Sequence, residues 1–230
     1  MRVSQLAIAF CIALLGFTAS ALAHHPGANL DEVMGDKEKF FQVIDQPAPG
    51  FDLVDAKGNP VRLSDFADRI VVLNFIYAGC LDFCPLHSEK VAEIHRLLNE
   101  SPMKTQVQFI TVTTDPERDT AEVMEGYGKA HGFDSANWVF LTKKPGEPED
   151  ANRILARAYG LEFTETEDSQ QMHGVVTHVI DSGGRLAAKF HGLHFEPVNM
   201  VLYVNGLINN AHAPRPPSNE SWWDWLAGWF

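Results

Sequence analysis

Tyr77-Ala78-Gly79-Cys80-Leu81-Asp82-Phe83-Cys84-Pro85 decides how this chain is read. The apolar run Ile70-Val71-Val72-Leu73-Asn74-Phe75-Ile76 precedes it, with the length and β-branched content of a buried strand. Val91, Ile94, Leu97 and Leu98 follow at helical spacing. Two thiols therefore stand where a strand hands over to a helix. Cys84 is expected as the N-cap and Pro85 as N1, where proline's missing N–H costs nothing. Four-residue spacing on a turn that is helical, or nearly so, lets both sulfurs point one way. Such a pair can chelate one soft metal ion or, after some rearrangement, oxidise to a disulfide. The stretch alone leaves both chemistries open.

Working outward, residues 1–23 read as an export signal: Arg2 supplies the positive start, Leu6 to Phe17 the apolar core and Ala21-Leu22-Ala23 the cleavage site. An uncleaved membrane anchor is the competing reading, because the weakly polar stretch nearly reaches spanning length. Periplasmic localisation is the expectation. Of three cysteines, Cys11 leaves with the signal, so the mature chain keeps Cys80 and Cys84 alone. An exported chain with two close cysteines and no others is not a disulfide-stapled scaffold. The formal net charge of −12 argues against nucleic acid and against charge-driven binding to anionic lipid.

Residues 24–48 read as a polar linker with a short amphipathic helix around Leu30 to Phe41, and residues 49–210 as one domain. Phe51 to Val54 and Val61 to Leu63 flank Lys57-Gly58-Asn59-Pro60, which suggests a hairpin. After the cysteine loop and its helix come a strand at Val107 to Val112 and a helix ending near Gly132. Asp119 and Glu122 resemble the capping box of that helix. A short strand at Trp138 to Leu141, a helix from Pro148 to Tyr159 and a hairpin across Ser182-Gly183-Gly184 follow, with a last helix from about Glu196 to Asn209. The order predicts a mixed α/β sheet with helices on both faces.

Three motifs, in sequence order, resemble the Sco/SenC family of copper proteins, which assist cytochrome c oxidase assembly. They are Cys80-x-x-x-Cys84-Pro85 after a buried strand, Asp115-Pro116-Glu117-Arg118-Asp119-Thr120 after the next strand, and His173 followed by an apolar strand and the Gly183-Gly184 turn. The similarity runs from about Phe51 to Asn209. It implies a thioredoxin-like fold with an N-terminal β-hairpin extension, and copper ligation by Cys80, Cys84 and His173. Asp115 is implied as a neighbour that orients the site or supports redox steps. The implied partners are the copper-bearing subunit of cytochrome c oxidase, a periplasmic copper donor and a thiol reductant. Chemistry agrees: thiolates are soft and suit Cu(I), whereas imidazole is a good ligand for Cu(I) and Cu(II). The N-terminus of the following helix is expected to favour thiolate at Cys84.

A different class of function, a thiol–disulfide oxidoreductase that keeps partner cysteines reduced, competes with the metal reading. The usual redox pair has two residues between its thiols, not three. No proline lies between Pro148 and Pro197, where thioredoxin-type enzymes place one opposite the thiols. A peroxiredoxin-like peroxidase is disfavoured by the context of the two cysteines. Among the other histidines, His178 is an odd number of residues from His173 along a strand and reads as structural. His87 shares a helical face with Cys84; it is either an auxiliary ligand or, as expected, a solvated first-turn residue. His191 and His194 read as an exposed loop, with a second weak metal patch as the alternative. His24 and His25 would begin the mature chain, as a low-specificity Cu(II) site at best. Residues 211–230 hold four of the five tryptophans, a density that suits a membrane surface, a protein groove or folding back on the domain.

Overall fold

A computed structural model of the chain describes residues 29–161, 163–165 and 171–210. The signal segment, Cys11, the His24-His25 pair and the Trp-rich tail lie outside the described residues. The elements are α1 (Leu30–Lys37), β1 (Phe41–Pro47), β2 (Asp52–Asp55), β3 (Pro60–Arg62), β4 (Ile70–Ile76), α2 (Phe83–Asn99) and β5 (Val107–Thr113). They continue as α3 (Ala121–Ala130), β6 (Trp138–Thr142), α4 (Ala151–Ala158), β7 (Phe163–Glu165), β8 (Gln171–His173), β9 (Val176–Ile180), β10 (Arg185–His191) and α5 (Pro197–Asn210).

Eight strands form one mixed sheet in the order β1-β10-β9-β4-β5-β6-β2-β3. The centre, β4-β5-β6, is parallel, and β9 joins β4 antiparallel. β4 and β5 are buried along their whole length; β4 is apolar but for Asn74, while β5 buries Gln108, Thr111 and Thr113 among its apolar residues. Alternation along them sends residues to two cores. Ile70, Val72 and Phe109 pack with α2 (Val91, Ile94, Leu98) and α5 (Met200, Tyr203, Val204). Val71, Leu73, Phe75, Ile110 and Val112 pack on the other face with Ala156 of α4 and Tyr159. The chain thus has the α/β thioredoxin-like architecture expected from its motifs, with the β2–β3 hairpin added at the β6 edge.

The short helix expected around Leu30 is present as α1, ending at Lys37, but the segment after it departs from the expected linker: Phe41–Pro47 is an edge strand paired with β10. Strand alternation is hidden in the sequence because the register slips between Val43 and Gln46, where Asp45 takes a positive φ of 47°. Asp45 Oδ1 accepts from Arg185 Nε at 2.9 Å, tying the bulge to β10. The helix expected from Pro148 begins later, at Ala151, with Gly160 (φ +84°) closing the turn after it. The short hairpin β7–β8, in which His173 pairs with Phe163, has no counterpart in the sequence reading.

Candidate metal centre

Helix α2 starts earlier than its proline suggested. Asp82 is the N-cap, so Cys84 lies within the first turn and Pro85 one residue further in. This places the backbone N–H of Cys84 within 3.3 Å of Cys80 Sγ, to which it donates. Cys80 N–H itself donates to Tyr77 O at 3.2 Å, closing a tight turn after β4. No disulfide joins the two cysteines, and both are buried, at 9% and 2% exposure. They pack with Ile76, Tyr77, Met124, Tyr127 and Phe140 in a small cluster at the end of the sheet where β4 finishes.

The electrostatics of the pair reverse the expectation for Cys84. Burial opposes ionisation of Cys80, but hydrogen bonds from the Cys84 thiol and from the N–H groups of Cys84 and Asp82 outweigh it, so its pKa falls below the ordinary thiol value. Burial pushes the Cys84 thiol well up, and its hydrogen bond to Cys80 and the nearby negative charge of Cys80 and Asp119 push the same way. The first turn of the helix aims its N–H at Cys80, so the thiolate it favours is Cys80 and not Cys84.

Asp119, expected as a helix cap, has a different place. Thr120 is the N-cap of α3, with its Oγ1 accepting from Val123 N–H. Asp119 is buried at 3% exposure and turns its carboxylate toward the cysteine loop. Ala78 N–H donates to both its oxygens, at 3.2 and 3.1 Å, and Thr113 Oγ1 donates to Oδ2. Burial raises its pKa despite these bonds. Asp115, the acid singled out by the motif, pairs with Arg118, and its N–H donates to Thr113 Oγ1 at 2.9 Å. Of the two acids it is Asp119 that grips the loop. Its signal in the sequence was its position in the motif, which the capping pattern masked.

His173 is the last residue of β8, two residues before the chain enters β9. Its strand leads toward the β4 edge that ends in the cysteine loop, since β9 pairs with β4 through Asn74↔Thr177 and Leu73↔His178. Among the described residues no group of three His, Cys, Asp or Glu side chains stands close enough to hold a metal ion. Of the expected ligands, the structure thus brings together Cys80 and Cys84, while His173 is placed by its position at the end of β8.

The other histidines resolve clearly. His178 is fully buried against Tyr159 O at 3.1 Å and Leu73 O at 3.3 Å, and is structural as read. His87 is not solvated: it is 1% exposed, with Nε2 hydrogen-bonded to Thr177 Oγ1 at 2.8 Å. The turn that carries it packs onto β9 instead of facing water. His191 bonds Gln42 Oε1 across to β1 at 2.8 Å, while His194 is exposed.

The SCO1/SenC family model matches residues 42–208, which include the sheet, the cysteine loop and His173. The chain belongs to the SCO1/SenC family. It is 34% identical over 151 residues to the human mitochondrial SCO2 homolog, an alignment covering 64% of this chain and 56% of that protein. The chain spans about half the length of such curated relatives, 47% for the zebrafish one. Among solved structures, a SCO1/SenC family lipoprotein of Bacillus anthracis superposes with a TM-score of 0.65 at 20% identity, covering 72% of this chain and 97% of that one. Yeast Sco1 with copper bound superposes at 0.60 and 20% identity, covering 77% and 98%. Both likenesses extend over nearly the whole of the other chain and show a shared fold.

Proposed function

We propose that this chain binds copper through Cys80, Cys84 and His173 in the periplasm and hands it to the copper-bearing subunit of cytochrome c oxidase. Membership of the SCO1/SenC family supports the reading, as does copper in the related yeast protein. The observation that carries it is the contact between the two thiols, with Cys84 N–H and S–H both directed at Cys80 Sγ in one turn. Two sulfurs so placed can chelate a single soft ion, and loading would deprotonate both. Transfer proceeds by ligand exchange, an incoming cysteine or histidine displacing one donor at a time. The rim of the site suits such a handover, because Leu81, Phe83 and Leu86 are 80%, 60% and 52% exposed beside buried sulfurs. An apolar collar of this kind suits a protein partner.

The thiol asymmetry favours a second reading, reduction of a partner's disulfide. Cys80 thiolate would attack one partner sulfur and release the other as a thiolate. Cys84 would then lose its proton, attack Cys80 Sγ and free the second partner thiol, leaving a Cys80–Cys84 disulfide that an external thiol must reduce. The two readings separate in one experiment. The reduced protein is titrated with Cu(I) and Cu(II) while visible and EPR spectra are recorded, alongside a disulfide reductase assay. Stoichiometric binding with thiolate-to-copper charge transfer, lost in Cys80→Ser, Cys84→Ser and His173→Ala, is the expected result. Binding retained in all three variants overturns the site, and strong reductase activity without tight copper binding promotes the second reading.

A further inference from the structure

Along the α2 face, β4 presents Ile70, Val72, Asn74 and Ile76 in succession. Ile70 and Val72 belong to the main core, and Ile76 to the cysteine cluster. Asn74, between them, belongs to a buried polar row. Trp138 Nε1 donates to Thr111 Oγ1 at 3.1 Å, and Thr111 Oγ1 donates to Asn74 Oδ1 at 2.9 Å. Asn74 lies opposite Thr177 in the β4–β9 register, and Thr177 Oγ1 meets His87 Nε2. The row crosses β6, β5, β4 and β9 and ends on α2, one helical turn from Cys84.

Stability is a poor reason for this row. Asn74, Thr111, Thr177 and His87 are each at most 1% exposed, in positions where apolar side chains would fill the space without desolvating polar groups. Among the described residues Asn74 Nδ2 lacks a partner, a cost that an apolar residue would not carry. What a polar contact offers in such a place is a single, directional geometry. The His87–Thr177 bond is the one whose ends matter to the site. His87 is one helical turn from Cys84, and Thr177 is four residues from His173, no more than about 14 Å of extended chain.

We propose that His87 is a positioning residue. Through Thr177 it locks strand β9, and with it the chain leaving His173, to the helix turn that carries Cys84, and so sets where the third donor meets the thiol pair. The inference rests on the copper-site reading above and assigns His87 no contact with the metal.

The test uses the full chain with His87→Leu, which keeps an apolar filler, Thr177→Val, which keeps the shape, and His87→Gln, which restores an amide near the ring nitrogen. In the copper-free protein, amide exchange at Gly174 to Thr177 is compared with that of β5. Loss of one buried hydrogen bond predicts about five- to ten-fold faster exchange at Gly174 to Thr177 in His87→Leu and Thr177→Val, with β5 unchanged. With copper, the same two variants should weaken Cu(II) binding by about ten-fold and alter its EPR hyperfine splitting. Cu(I), well served by the two thiolates, should change by less than about three-fold. His87→Gln should recover both readouts, and the double variant should be no worse than either single one.

Unchanged local exchange and an unchanged spectrum overturn the proposal. So does a uniform rise in exchange through β5 with a wild-type copper spectrum, which marks a merely structural histidine. A wild-type protein that binds no copper refutes the copper-site reading instead, and the exchange comparison still decides whether His87 holds the His173 strand.

Discussion

Among the described residues, His178 and His87 lie buried on opposite faces of the central sheet, and the two are held differently. On the α4 face His178 rests against main-chain carbonyls, Tyr159 O and Leu73 O, among Phe75 and Tyr159 rings. On the α2 face His87 meets a side chain, Thr177 Oγ1, and stands at the end of a polar row under the cysteine loop. A backbone partner fixes a ring to the fold in general. A side-chain partner on another element fixes one element against the other, here α2 against β9.

The largest effect should come from His178. Burial, with Lys189 adding to it, lowers its pKa from 6.5 to about 3. Above pH 6.5 the ring is neutral in both folded and unfolded chains. Between pH 6.5 and 3 the unfolded chain takes up a proton that the folded chain refuses, so stability falls as pH falls. The slope approaches about 1.4 kcal/mol per pH unit, to a total of at most about 5 kcal/mol. Urea unfolding measured from pH 7 to 4 should show this slope and lose it in His178→Leu, with copper binding intact. A slope unaffected by the substitution would break the contrast between the two histidines.

A smaller effect is expected at the far end of the polar row. A Cβ on Gly128 would stand 2.2 Å from Trp138 Cζ3, so Gly128→Ala must move the indole that donates to Thr111. Overpacking of this kind costs about 1–3 kcal/mol. Chemical denaturation should report that loss, and a shifted Cu(II) spectrum in the same variant would extend the row's influence from β6 to the site.

The smallest effect belongs to the rim. Leu81→Ser, at a largely exposed position, should change stability by less than about 0.5 kcal/mol and leave copper affinity unchanged. Stopped-flow transfer to an acceptor fragment bearing the copper-site cysteines should nevertheless slow. Transfer at the wild-type rate would remove the apolar collar from the proposed mechanism.

Much of the fold was legible because β4, β5 and β9 are short segments rich in β-branched and apolar residues, bounded by turn signals. The β1 strand was not, since its bulge at Asp45 destroys the alternation that betrays an edge strand. At the site, Cys80 and Cys84 announced themselves through their spacing. Asp119 was hidden, because an acid before a helix reads equally as a cap and only the fold of β5 against the loop directs it to Ala78 N–H. His87 was hidden too: a helical position three residues from Cys84 does not reveal whether it faces water or β9.

The sequence by itself determined the thiol pair, the order of the elements from β2 to α5 except the β7–β8 hairpin, and the three motifs of the SCO1/SenC family, all of which depend on near neighbours along the chain. Tertiary structure alone decided which thiol is the more acidic, which aspartate holds the loop and which histidine on α2 bonds to β9. The thiol choice depends on burial as well as on the local bonds to Cys80, and the other two on hydrogen bonds between groups about 40 to 90 residues apart, Ala78 with Asp119 and His87 with Thr177. Periodicity records a residue's face, and only packing supplies its partner.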